Sequence, residues 1–233
     1  MIRIIPSEKR YKADHGWLIT YHSFSFAEYY DPNNIRFGAL RVFNDDTVQP
    51  GRGFGEHPHA DMEIMTYVID GTLEHRDSLG NRGLLHAGEV QRMTAGTGII
   101  HSEYNPSEEK PVHFLQIWFL PERRGLTPSW EQKKFPSEQK RNRLLPVVSG
   151  RPAEGALYIH QDVTVYLSRL EAGRQIHHRQ EAGRRMYLFV IDGAVSVDGE
   201  HPMKAGDSAR ITGLSELTVS TGEGAEFMLM DLA

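Results

Sequence analysis

Short apolar runs alternate with polar, turn-forming clusters along the whole chain. Gly38-Ala-Leu-Arg-Val-Phe43, Glu63-Ile-Met-Thr-Tyr-Val-Ile69, Val112-His-Phe-Leu-Gln-Ile-Trp-Phe-Leu120 and Met186-Tyr-Leu-Phe-Val-Ile191 are rich in β-branched and aromatic residues. Turn signals separate them: Asp45-Asp46, Gln49-Pro-Gly51, Asp70-Gly71, Leu79-Gly-Asn81 and Ala87-Gly88. They return roughly every ten residues, the spacing of an all-β sandwich or barrel and not of βαβ units. Helix signals are few. The strongest is Thr127-Pro128-Ser-Trp-Glu131, with Thr127 as cap and Pro128 at the first helical position. A short connecting helix is expected there.

The pattern repeats. Tyr67-Val-Ile-Asp-Gly-Thr-Leu-Glu74 aligns with Phe189-Val-Ile-Asp-Gly-Ala-Val-Ser196, and His86-Ala-Gly-Glu89 with Lys204-Ala-Gly-Asp207. The offset is 122 residues from Gly71 to Gly193 and 118 from Gly88 to Gly206, as a shortened hairpin would give. Two matches in the same order indicate two copies of one domain. The expected division is residues 1–135 and 136–233. Between the copies, Pro121 to Arg143 carries seven basic and three acidic residues. Their mixing favours a solvated linker over an anion-binding patch. Trp130 and Phe135 would pack it onto a domain.

Composition narrows the chemistry. Of 233 residues, 39% are hydrophobic and 24% charged, enough for a packed core. There is no cysteine and there are twelve histidines. Disulfides, thiolate zinc sites, iron–sulfur clusters and thiol catalysis are excluded, so a metal must be held by His, Asp or Glu. The net charge of −5 argues against direct nucleic-acid binding. No apolar leader or spanning segment is present, which makes a cytoplasmic protein without membrane partners the expectation.

The candidate chemistry lies in two paired motifs. Residues two apart in a strand share a face. His57-Pro-His59 therefore presents two imidazoles together, and His101-Ser-Glu103 presents an imidazole with a carboxylate. On facing strands the pairs would close a site of three imidazoles and one carboxylate, with open positions left for water, substrate or O2. This set suits Fe(II), Mn, Ni, Co or Zn, and spacing does not rank them.

Gly51-x5-His57-x-His59-x3-Glu63-x7-Gly71 is close to the first cupin motif, and Gly88-x5-Thr94-x-Gly96-x4-His101-x3-Asn105 to the second. The stretches around them, with Asp14-His-Gly-Trp-Leu18, His22-Ser-Phe-Ser-Phe26 and Tyr29-Tyr-Asp-Pro32, resemble the pirin branch of the cupins over nearly the whole chain. The gap from Glu63 to Gly71 and the late His101 depart from most cupins in the way pirins do. The resemblance implies a bicupin of two tandem jelly-roll-like β-barrels. It implies metal ligands His57, His59, His101 and Glu103, with Glu63 beside the site and not a ligand. One divalent ion is expected, Fe(II) first, with Zn, Mn, Ni, Co or Cu as alternatives.

The same resemblance implies a quercetin 2,3-dioxygenase: a flavonol cleaved with O2, carbon monoxide released, and Glu103 as general base. Phe54, Met65, Met93 and Trp118 are the apolar pocket candidates for a flat aromatic ligand. Met65 and Trp118 fit plain barrel core equally well. The second copy has no His-x-Glu after Gly206-Asp207. It is expected to be a degenerate cupin domain, with His177 and His178 at its surface or between domains. His75 and His113, in strands, are left outside the site, as are His15, His22, His86, His160 and His201. The rival reading is a metal-dependent redox-sensing or protein-interaction module built on the same four residues. A monomer is the expected assembly.

Overall fold

A computed structural model describes residues 1–233. The first strands are β1 (Ile2–Ile5), β2 (Tyr11–Asp14), β3 (Leu18–His22), β4 (Leu40–Val48), β5 (Gly53–His59), β6 (Glu63–Asp70) and β7 (Thr72–Asp77). There follow β8 (Arg82–His86), β9 (Glu89–Thr94), β10 (Ile99–Tyr104), β11 (Val112–Phe119), β12 (Ser129–Lys134), β13 (Leu145–Ser149) and β14 (Leu157–Tyr158). The last are β15 (Val163–Leu170), β16 (Gln175–Arg179), β17 (Arg185–Val197), β18 (His201–Lys204), β19 (Ser208–Thr212), β20 (Glu216–Ser220) and β21 (Ala225–Leu232). Helix is confined to a 3-10 turn at Ser7–Lys9 and one α turn, α1, at Ser137–Lys140. No helix is long and apolar enough to cross a membrane.

The chain forms two compact units. One comprises Tyr11–Phe135 with Leu157–Gln161; the other comprises Met1–Arg10, Pro136–Ala156 and Asp162–Ala233. These differ from a cut at 135/136 in two places, because Met1–Arg10 and Leu157–Gln161 each belong to the unit built mainly from the other half.

In the first unit a seven-stranded antiparallel sheet, β12-β9-β6-β11-β4-β3-β2, faces a four-stranded one, β5-β10-β7-β8. Leu18, Val48, Val68, Val112 and Phe114 of the large sheet pack against Leu73 and Leu85 of the small one. This apolar layer supplies the main driving force, at roughly 25 cal/mol per Å² buried. In the second unit the path runs β1-β19-β17-β21-β15-β13, with β16 on β20 and both β18 and β20 on the far half of β17. Its core holds Met186, Leu188, Leu217, Val219, Phe227 and Leu229.

The repeat has a local cause. Gly71 and Gly193 both sit at positive φ, +82° and +74°. A Cβ at Gly71 would stand 2.8 Å from the Pro111 carbonyl oxygen, and one at Gly193 would stand 2.3 Å from that of Gly224. The same crowded turn is made twice, and only glycine fits it.

One expected element is different. Thr127–Glu131 does not form a helix; the segment enters β12, whose register on β9 runs from Ser129↔Thr94 to Lys134↔Glu89. An isolated helix of one or two turns is marginal in water, whereas the open edge of β9 offers a ladder six residues long. Pro128 precedes the strand, where no ladder N–H is needed. The basic linker is thus part of the sheet on one side, and Trp130 and Phe135 pack it down.

Candidate metal centre and its cavity

The site is built where β5 and β10 pair. His57 lies opposite His101 and His59 opposite Ile99; a bulge then sets Glu103 opposite Phe54. Such a bulge re-aims side chains locally. The three imidazoles converge, with ring centroids 4.8 Å apart for His57–His59, 4.4 Å for His57–His101 and 4.9 Å for His59–His101. One ligand atom from each lies within 4.8 Å of the others.

Their hydrogen bonding leaves nitrogens free. His57 Nδ1 lies 2.7 Å from the Gly55 carbonyl oxygen. Donation there fixes the tautomer and leaves Nε2 its lone pair, the usual orienting contact of a metal-bound histidine. His59 Nε2 and both ring nitrogens of His101 are buried without any hydrogen-bond partner. Buried polar atoms rarely go unpaired in native structures. A cation between these rings would satisfy them, so the donor set fits a metal ion. Burial, then the neighbouring histidines, holds the pKa of His59 at about 4 and that of His101 at about 3. Both are neutral at physiological pH, the form that binds metal.

Glu103 is buried and held by both oxygens. Gln91 Nε2 donates to Oε1 at 2.9 Å and Gln116 Nε2 to Oε2 at 2.8 Å. Gln91 Nε2 also donates to Thr66 Oγ1 at 2.9 Å, and the Thr66 hydroxyl donates to Gln116 Oε1 at 2.7 Å. Trp130 Nε1 donates to Gln91 Oε1 at 2.8 Å. Such a satisfied buried network rigidifies what it holds.

The expected residues are not all equally close. Glu103 shares a second ligand-atom cluster with His101 and His75, whereas the three-histidine cluster does not include it. His75, left outside the site by sequence, is buried beside it. Its Nε2 lies 3.1 Å from Asp77 Oδ2, and its ring stacks on Trp130 at 5.0 Å. The His75-x-Asp77 pair was visible in sequence; its place depends on the pairing of Glu103 with His75 and of His101 with Asp77. Glu63 is fully buried but holds structure together: Thr94 Oγ1 donates to its Oε2 at 3.0 Å and the His160 backbone N–H at 3.3 Å. Its Oε1 stands 3.5 Å from His160 Nδ1, and burial raises its pKa.

A cavity of about 280 Å³ opens beside the cluster, near the lower end of small-molecule sites. Phe54, His57, His59 and Glu103 line it from the small sheet; Leu18, Thr20, His22, Asn44, Asp46, Gln116 and Trp118 line it from the large one. Trp118 meets His59 edge to face at 4.9 Å. Met65 and Met93 are not on this lining. Both are fully buried, and Met93 packs with Ile64, Ala95 and Ile99 in the core. His22, Asn44 and Asp46 were not singled out as site residues. Asp45-Asp46, expected as a turn, lies inside β4, and this is what puts Asn44 and Asp46 two apart on one strand face.

The second unit fills the matching place with apolar side chains. On β16 and β20, His178 pairs with Leu217 and Ile176 with Val219, and Leu217 and Val219 are core residues. His177 is exposed, as expected. His178 is buried instead, with Nε2 3.5 Å from Asp231 Oδ2 and its ring 5.4 Å from that of Tyr166. Both ligand-atom clusters lie in the first unit.

Comparison with known proteins gives the family. The family profile described as Pirin matches residues 5–119, and that described as quercetinase C-terminal cupin domain matches residues 146–232. Over 232 residues the chain is 44% identical to the quercetin 2,3-dioxygenase of Escherichia coli K12, covering 100% of this chain and 99% of that one. The chain belongs to the pirin family. This pirin is also 44% identical over 234 residues to a pirin-like protein of Caulobacter vibrioides, with both chains fully covered. It superposes on the crystal structure of the bacterial pirin YhhW of E. coli in complex with nickel(II) with a TM-score of 0.94, covering 100% of this chain and 99% of that one at 44% identity.

Proposed function

We propose that this pirin is a metal-dependent dioxygenase that cleaves flavonols such as quercetin with O2 and releases carbon monoxide. The observation that carries the reading is the group of buried, unpartnered imidazole nitrogens beside a cavity walled by aromatic rings. In this reading His57, His59, His101 and Glu103 hold one divalent ion, Fe(II) first. When bound, that ion acts as a Lewis acid that lowers the pKa of a hydroxyketone hydroxyl.

The chain's own residues do the rest. Glu103 accepts the hydroxyl proton as general base, and the Gln91 and Gln116 amides fix its orientation. Phe54 and Trp118 flank the flat ring system and keep water from the reacting face. The relatives named quercetin 2,3-dioxygenase support the same substrate class.

The test is anaerobic purification with metal analysis, followed by a flavonol oxidation assay. Loaded protein is expected to consume O2 and quercetin together and to release carbon monoxide. His59→Ala is expected to lose the activity. Absence of turnover with every correctly loaded divalent metal would overturn the reading.

A further inference from the structure

Polar residues cross the inner face of the seven-stranded sheet in a row. The register sets His22 beside Asn44, Asn44 beside Gln116, Gln116 beside Thr66, and Thr66 beside Gln91. One end of this row is used up, since Gln116 and Gln91 hold Glu103 and Thr66 joins the two amides. The other end is not. His22 Nδ1, Asn44 Oδ1 and Asp46 Oδ1 are buried without a hydrogen-bond partner. Asp46 lies two positions from Asn44 on the same strand face, and all three residues line the cavity.

These atoms make sense as one half of a ligand contact. Three unpaired buried polar atoms side by side are costly unless something fills them. The wall is also neutral. Burial, and secondarily His15, holds the His22 pKa at about 4. Burial raises that of Asp46 to about 7, against a smaller lowering by the Thr20 hydroxyl. At mildly acid pH His22 is uncharged and Asp46 keeps its proton. Neutral donors and acceptors suit neutral hydroxyl groups better than a carboxylate or an ammonium.

We propose that His22, Asn44 and Asp46 read the hydroxyls on the pendant aromatic ring of the substrate, and thereby select hydroxylated flavonols over bare ones. This rests on the dioxygenase reading and names its specificity wall. A ring without hydroxyls would leave the wall unpaired, the situation in which a site built for hydrogen bonding discriminates well.

The test is direct binding, with oxygen excluded so that no turnover occurs. Ni(II)-loaded, desalted protein is titrated with quercetin and with galangin, which keeps the fused rings and lacks the pendant-ring hydroxyls. Quercetin is expected to bind about tenfold tighter or more. Asn44→Leu and His22→Phe are each expected to bring the ratio of the two affinities towards one. His22→Phe keeps the ring contacts with Tyr11 and Phe26, so it serves should Asn44→Leu misfold. Equal affinities in the wild type, or an unchanged ratio in a folded variant, would overturn the wall and leave the dioxygenase reading intact. Binding of neither flavonol to the wild type would overturn both.

Discussion

His101 holds two buried ring nitrogens that no protein group satisfies, and in the reading proposed above its contribution to stability depends on metal. Without an ion the unpaired nitrogens cost folding free energy. With one, binding to the native state alone adds stability. His101→Leu is therefore expected to melt no lower than wild type when both are metal-free, and to lose most of the rise in melting temperature on adding metal. Thermal melts with and without a divalent ion check this. Asp46 makes the opposite kind of case. Its carboxyl titrates near 7 in the folded chain because burial penalises the charge, and near 3.9 when unfolded. A raised carboxyl favours folding at low pH, and that contribution is lost as pH climbs from about 4 through 7. Asp46→Asn removes the ionisable group. It is expected to gain on the order of 1–3 kcal/mol relative to wild type between pH 5 and pH 8, read from denaturant midpoints at the two values. At this scale the sequence displayed the candidate histidine and carboxylate donors, because residues two apart in a strand must share a face. It did not display the network behind Glu103, in which Gln91 and Gln116 donate to the carboxylate and Thr66 joins them. Gln91, Thr66 and Gln116 are brought level only by the register of three strands distant in sequence.

The elements carrying the donors depend on tight backbone approaches. Gly96, in the turn before β10, has φ +48°, and a Cβ there would stand 1.9 Å from the Leu126 carbonyl oxygen. The obstacle is backbone, and the same oxygen accepts the Thr97 N–H at 2.9 Å, so relief requires moving the turn or the Leu126 segment. Gly96→Ala is expected to cost about 2–4 kcal/mol and to reduce metal affinity, because the displaced turn feeds His101. Denaturant titration and metal content after dialysis measure the two effects separately. The motif exposed this glycine without its reason: Leu126 lies thirty residues further along the chain. The reverse occurred at Thr127–Glu131, where capping chemistry indicated a helix. Local signals weigh an isolated segment, and they carried no information about the free edge of β9 that makes it a strand.

Over the whole molecule, the duplication was legible and the exchange of segments was not. The turn signatures at Gly71 and Gly193 repeat because the same crowded turn is built twice. Nothing in local pattern shows that β1 pairs with β19, with Ile2 opposite Ile211 and Ile5 opposite Ser208. Nor does it show that His160 meets Glu63. A cut between residues 135 and 136 would therefore divide the chain where its sequence divides but not where its strands do. The fragment 136–233 would expose the β19 edge that β1 covers, and an open edge is a template for association. The fragment 1–135 would keep His57, His59, His101 and Glu103 yet lose the His160 contacts to a carboxylate buried in the core. Leaving a buried carboxylate with fewer partners costs about 1–3 kcal/mol or more. Separately expressed halves are expected to differ accordingly. The first should bind metal with reduced thermal stability, regained in part by Glu63→Gln. The second should self-associate until a peptide spanning residues 1–10 is added. Melting curves of the first half and sedimentation of the second, with and without the peptide, decide between this and two self-sufficient halves, for which neither the substitution nor the peptide would change anything.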